Sequence, residues 1–257
     1  MSSVAHKLQA NIYNGFDFKK YLHHENENTF IIQPTNKYEI SAEIKNLDTR
    51  KSTGPHSIPT AILKEIDSAI AEPLSKIINL SFQSGKYIEA LKYSKVIPIY
   101  KQKGDKLLCN NYRPISLLSN INKIIEKLMH KRLYSFLSLN KCIYDLQFGF
   151  RSKHSTNHAL IDLSQDVRES LDNNSFAIGI FIDLQKAFDT VQNDILLHKL
   201  HHYGVRGIAN KWFESYLSDR KQTVSINGII SDVKSIKIGV PQGSVLGPLL
   251  FLITSMT

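Results

Sequence analysis

Residues Phe181-Ile-Asp-Leu-Gln-Lys-Ala-Phe-Asp-Thr-Val191 set a carboxylate at the end of an apolar run and a Lys-Ala-Phe-Asp group just after it. The run behind Asp183, Phe176-Ala-Ile-Gly-Ile-Phe-Ile182, is rich in β-branched and aromatic residues and lacks polar alternation. That pattern predicts a buried strand from Phe176 to Asp183. A carboxylate at the tip of such a strand is solvated, paired or bound to a metal, because burying it bare costs several kcal/mol.

Working outward, the 257 residues suffice for one large domain or two lobes. A hydrophobic content of 42% and a charged content of 21% are those of a folded chain, which excludes wholesale disorder. Cys109 and Cys142 form no CxxC pair and no disulfide framework, which suits a reducing interior. No basic-apolar-small succession marks a signal peptide, and no apolar run approaches the ~20 residues of a membrane span. The expected setting is therefore intracellular, nucleus or cytoplasm, away from membranes.

The net charge of +9 is unevenly spread. Residues 86–132 hold eleven Lys and Arg against three Asp and Glu, so nearly all of the excess lies there. Such a concentration is the electrostatic footprint of a polyanion partner. Interleaved Tyr87, Tyr93, Tyr100 and Tyr112 favour nucleic acid over a membrane face.

Along the chain, residues 1–35 are polar and read as a linker or the tail of an upstream region. A short helix over Lys37–Leu47 is opened by Thr35 or Asn36. Lys51 to Pro59 is a loop dense in turn formers, and Ala61–Phe82 is helical with a break at Pro73. Val96–Tyr100 is a strand whose proline argues for an edge position. Helices follow over Asn120–Leu139 and Thr156–Leu171, then Asp194–Tyr203 closed by Gly204, then Ile208–Leu217. Thr223–Asn227 is a strand ending at an Asn-Gly turn, and Ile236–Val240 a strand leading to an apolar C-terminal helix. His154 and His158, like His198, His201 and His202, lack the company a zinc site needs.

Three loops stand out: Tyr112-Arg-Pro-Ile-Ser-Leu-Leu118, Phe181-Ile-Asp-Leu-Gln-Lys-Ala-Phe-Asp189 and Gly239-Val-Pro-Gln-Gly-Ser-Val-Leu-Gly-Pro248. In order and character, with Val96-Ile-Pro-Ile-Tyr100 and Gln147-Phe-Gly-Phe-Arg151, they resemble the reverse transcriptases of non-LTR (LINE-type) retrotransposons. Lys51-Ser-Thr-Gly-Pro-His-Ser-Ile-Pro59 adds to the likeness, although the family usually has Asp-Gly where this chain has His56-Ser57. A group II intron maturase or a viral RNA polymerase is the neighbouring alternative.

The resemblance implies an α+β right-hand polymerase: fingers over 36–175, and over 176–257 an incomplete palm with a small antiparallel sheet. It implies an RNA template, a DNA primer and deoxynucleoside triphosphates as partners, with Mg²⁺ or Mn²⁺ as cofactor. Asp183, with the Leu184 carbonyl, becomes a metal ligand for two-ion nucleotidyl transfer. Phe188 becomes the aromatic floor that excludes a ribose 2′-hydroxyl. Gln242 and Gly243 contact the nascent pair, while Arg113 and Arg151 hold triphosphate or template backbone. Lys95, Lys101, Lys103 and Lys106 line the template path.

In one respect the chain departs from the family. The third catalytic motif, an aromatic-Ala-Asp-Asp hairpin, does not appear before Thr257, and the sequence holds no Asp-Asp dipeptide. One carboxylate does not hold two metals. The expectation is a fragment truncated before that motif and inactive by itself, or else an inactive nucleic-acid-binding remnant.

Overall fold

Helix starts follow side chains that the sequence makes visible. The Asn36 side chain accepts hydrogen bonds from the backbone of Tyr38 and Glu39, opening α1 (Lys37–Lys45) as expected. Ser119 does the same for Asn122 and opens α4 (Asn120–Leu139). The computed structural model describes residues 18–22, 25–55 and 57–256, so His23, His24, His56 and most of the N-terminal segment lie outside it. Among the described residues are eight α-helices and one small sheet.

The expected helix over 61–82 is two, α2 (Thr60–Glu65) and α3 (Asp67–Ser84), and the break falls at Ile66 rather than at Pro73. Pro73 sits inside α3, where its missing N–H deprives only the Ala69 carbonyl of a helical donor. Helices α5 (Thr156–Asp172), α6 (Asn193–His202) and α7 (Gly207–Leu217) match the expected spans to within a residue, and α8 (Gly247–Ser255) is the expected apolar C-terminal helix.

The core is built from α1, α3, α4, α6, α7 and α8 around Trp212, which is 0% exposed. Its indole stacks on Tyr216 and meets Tyr87 and Phe82 edge-on, and its Nε1 donates to Ser81 Oγ at 3.1 Å. The described end of the presumed tail belongs to this body too. Phe30 is buried against Phe136, its N–H donates to the Gly204 carbonyl at 2.8 Å, and Arg206 binds Glu25. Gly204 has φ +95°, and a Cβ there would lie 2.2 Å from the Asn28 carbonyl oxygen, so only glycine lets the two segments approach.

The sheet order is β2 (Tyr112–Leu117), β1 (Tyr93–Tyr100), β3 (Arg220–Ile226), β4 (Ile229–Ile230), with β5 (Lys234–Ile236) also on β3. It is mixed rather than antiparallel, because β1 and β3 run parallel. Nor is β1 an edge strand. Its pairing with β3 covers only Tyr93 to Val96, so Pro98 lies beyond the part that needs donors on that side. The Asn227-Gly228 turn does join β3 to β4, both residues having positive φ.

The largest departure concerns the decisive stretch itself. Phe176 to Asp183 forms no strand, and Phe176 is 98% exposed with Ile178, Ile180, Phe181 and Ile182 nearly as open. A strand exists only against a partner, and none of the five strands runs beside this segment. Its apolar pattern reports the burial it suits but does not supply the neighbour. Helix α5 just before it has no buried residue either, and Leu160, Ile161 and Leu171 face solvent.

Candidate nucleotide and nucleic-acid site

Phe188 lies in a tight 3-10 turn, Ala187–Thr190, entered through Lys186 at φ +53°. The half-buried ring packs on Phe251 of α8 at 5.2 Å between centroids and meets Phe150 edge-on at 6.0 Å. Backbone hydrogen bonds then join this turn to the loop entering α8: Val240 N–H donates to the Phe188 carbonyl at 2.9 Å, and Gly239 N–H to that of Val191 at 2.7 Å. Gly239 has φ +90°, and a Cβ there would stand 2.9 Å from the Asp189 carbonyl. Burial pushes the Asp189 carboxyl above its ordinary range, opposed by the charge of Lys186.

Gln242 is tied to a third segment, its carbonyl accepting from Ser116 N–H of β2 at 2.7 Å. Beside it Gly243, at φ +106°, lets the chain pass where a Cβ would come within 2.9 Å of the Ser116 carbonyl. Four sequence-distant motifs therefore meet: Ser116 from the first loop, Phe150, Phe188, and the Gly239–Gly243 backbone.

Other expected residues are disposed differently. Asp183 and Leu184 are exposed in the irregular segment. Arg113 is exposed on β2 opposite Ile99, three residues from Ser116. Arg151 is turned inward, its Nη1 donating to the Tyr144 and Asp145 carbonyls at 2.9 Å each, so its fork staples its own loop. The family of two-ion enzymes needs a gathered set of carboxylates. Among the described residues no group of three or more His, Cys, Asp or Glu is gathered, so the donor set that two ions need is not assembled there.

The structure narrows the basic region. Lys127 and Lys131 on α4 pair with Glu43, Arg132 with Glu39, and Lys92 with Glu89. Of the seven cations of residues 86–132 that join no salt bridge among the described residues, Lys95, Lys101, Lys103, Lys106 and Arg113 lie on the β1–β2 hairpin, and Lys86 and Lys123 lie elsewhere. Lys101 also closes the hairpin through Nζ to the Asn110 carbonyl, and Lys106 sits over the Tyr100 ring at 5.7 Å. If this hairpin tracks a phosphate backbone, neutralising Lys101, Lys103, Lys106 and Arg113 together should lower the log–log salt slope of RNA binding by about three. Neutralising Lys127 and Lys131 should change it little. Fluorescence titrations at several salt concentrations check this, and the reverse ranking would move the phosphate path to α4.

Of the buried acids Glu43, Asp67 and Glu126, none of which the sequence singles out, Glu126 is the most deeply buried. Glu126, 0% exposed, sits on the apolar face of α4 between Ile125 and Leu128. Its Oε1 accepts from Asn122 Nδ2 at 2.7 Å and Tyr216 Oη at 2.9 Å; its Oε2 accepts from the N–H groups of Val245 at 2.5 Å and Leu246 at 3.3 Å. Burial, and then the charge of Glu126, holds the Tyr87 and Tyr216 hydroxyls well above the ordinary tyrosine range, with Arg220 opposing. A carboxylate interrupting an apolar helix face was the available signal.

Residues 99–256 match the family described as "Reverse transcriptase (RNA-dependent DNA polymerase)". The chain is 34% identical over 226 residues to a "Probable RNA-directed DNA polymerase from transposon BS" of Drosophila melanogaster, covering 86% of this chain and 24% of that protein. It is 33% identical to an "RNA-directed DNA polymerase from mobile element jockey" of the same species, covering 83% and 23%. A "Probable RNA-directed DNA polymerase from transposon X-element", also of D. melanogaster, is 28% identical over 87% of this chain and 25% of its own length. The chain thus spans about a quarter of the length of these curated relatives.

Proposed function

Because this chain belongs to the reverse transcriptase family, in the branch of the non-LTR retrotransposons, we propose that it is the nucleotide-selecting part of an RNA-directed DNA polymerase. Residues 36–175 serve as fingers and 176–257 contribute to the palm. The observation that carries the reading is the run of contacts that links four separate motifs, from Phe150 to Phe188, from Phe188 to Val240, and from Gln242 to Ser116.

Phe188 acts as the floor under the incoming sugar. Its ring is held between Phe150 and Phe251, so it cannot retreat to admit a 2′-hydroxyl, and deoxynucleotides are chosen by shape. Gln242, its backbone fixed to β2, offers its side-chain amide to the nascent pair. Arg113 and the hairpin lysines neutralise template phosphates, and Arg151 supports the Phe150 loop from behind. Asp183, with the Leu184 carbonyl, is the proposed holder of a magnesium or manganese ion, which when bound neutralises charge on the triphosphate. The partners are an RNA template, a DNA primer and deoxynucleoside triphosphates, and the place of work is the nucleus or cytoplasm. No described helix is long and apolar enough to cross a membrane.

The test is sugar selection by the full-length polypeptide. Phe188→Val should raise ribonucleotide incorporation relative to deoxynucleotide by roughly 10- to 100-fold in single-nucleotide extension. Unchanged discrimination would remove Phe188 from the nucleotide site.

A further inference from the structure

Glu126 reaches across the fold from α4 to the loop that carries Gln242. Its Oε2 takes the backbone N–H groups of Val245 and Leu246, the two residues immediately before α8. These N–H groups have no acceptor within their own helix, and the helix end favours negative charge. No side chain of α8 or its N-cap residue Leu246 caps this start; Ser244 Oγ, one turn back, takes only the Gly247 N–H at 2.9 Å. The acid is held from its other side by Asn122 and Tyr216, and Tyr87 Oη in turn donates to Asn122 Oδ1 at 2.5 Å. Among the described residues, four hydrogen-bond donors and no salt bridge answer its charge, and Lys123 acts on it only through space. A carboxylate buried at such cost needs a return greater than packing, since an apolar side chain would fill the space more cheaply.

We infer that Glu126 is a positioning residue that fixes the Pro241–Leu246 loop, and through it the Gln242 side chain, at the height the incoming nucleotide requires. The loop has two anchors. One is the Ser116 N–H on the Gln242 carbonyl, and the other is Glu126 on the far side of Ser244. With only the first, the turn between Gln242 and the buried Leu246 would be held by Ser244 on the Pro241 carbonyl alone, and Gly243, at φ +106°, adds little torsional resistance of its own. The second anchor removes that freedom, and it comes from a helix with its own rigid support in the aromatic core.

This assignment rests on the reading of Gln242 as a nucleotide contact, and two measurements separate the two claims. Glu126→Gln keeps the shape but points an amide NH₂ or a weaker, uncharged acceptor at the Val245 and Leu246 N–H groups. Hydrogen exchange of this chain should then show the 244–247 amides losing at least about tenfold protection while α4 and α7 keep theirs. In the full-length polypeptide, the same change should raise KM for the deoxynucleoside triphosphate by about tenfold. The turnover number and template–primer affinity should stay within about twofold. Unchanged exchange at Val245 and Leu246, or exchange lost equally across α4, overturns the clamp. An unaltered KM beside local exchange loss overturns its role in nucleotide positioning. Should Glu126→Gln fail to fold, Glu126→Asp decides: it keeps the charge but withdraws the oxygens by one methylene, so loss confined to Val245 and Leu246 supports the clamp and no loss refutes it. A wild-type polypeptide that extends no primer would sink the polymerase reading, leaving the exchange result to decide the clamp.

Discussion

Asn in place of Asp183 is expected to cut primer extension by the full-length polypeptide by on the order of 10³-fold or more while leaving its melting temperature unchanged. The first half follows from the proposed metal role of Asp183, the second from where the residue sits. Asp183 is exposed in an irregular segment, so its carboxylate contributes nothing to packing. Exposed substitutions away from caps and networks usually stay within about 0.5 kcal/mol. The amide is nearly isosteric, so the change removes the charge alone, and with it the hard anionic oxygen that a divalent ion prefers. Template-dependent incorporation and a thermal melt of the same preparation check the two halves separately. Retained extension would free Asp183 of any role with metal. A melting temperature several degrees lower would reveal a structural role that the exposed position does not suggest.

The second large effect is on the fold. Trp212→Ala should destabilise the chain by about 3–5 kcal/mol in urea denaturation. The indole is fully buried, packed by Phe82, Tyr87, Phe213 and Tyr216, and it also donates to Ser81 Oγ. Removing it leaves a cavity ringed by rigid aromatics that cannot collapse, and a buried hydroxyl without its donor. Domains of this kind are stable by only about 5–15 kcal/mol, so the variant should be partly unfolded at moderate temperature. Trp212→Phe keeps most of the volume and should recover more than half of the loss. Equal losses for both variants would show that the Nε1 hydrogen bond, not the packing, dominates.

What could be read in the sequence was what depends on near neighbours. Asn36 as a cap, Gly204 after α6, and Asn227-Gly228 between β3 and β4 each act within a few residues, and each stands where expected. Phe188 and Gln242 could be singled out because their motifs are local, and the backbone bonds through Val240 and Ser116 then bring those motifs together. The parallel pairing of β1 with β3 could not be read, since nothing near Tyr93 announces Lys221. The same holds for Glu126, whose donors come from Tyr216, Val245 and Leu246. Phe176–Ile182 is the converse case. Its local pattern is clear, but a strand is a property of two segments, and none of the described strands runs beside this one. Arg151 shows that residue type alone does not assign a phosphate ligand, because its guanidinium is engaged with two carbonyls of its own loop.

The parallel pairing of β1 and β3 also constrains how the chain is made. A ribosome adds about 5–20 residues per second, so Tyr93 waits roughly ten seconds before Lys221 exists to receive it. Phe30 waits longer still for Gly204, and Tyr87 about as long for Trp212 and Tyr216. During that interval the aromatic faces of the early helices have no late partner to cover them, which is the condition that recruits chaperones. High sequence separation between partners also slows closure itself, because loop entropy is lost before the contacts reward it. Synthesis from the first residue onward therefore cannot bank a finished N-terminal half; the molecule closes only when α7 and β3 arrive.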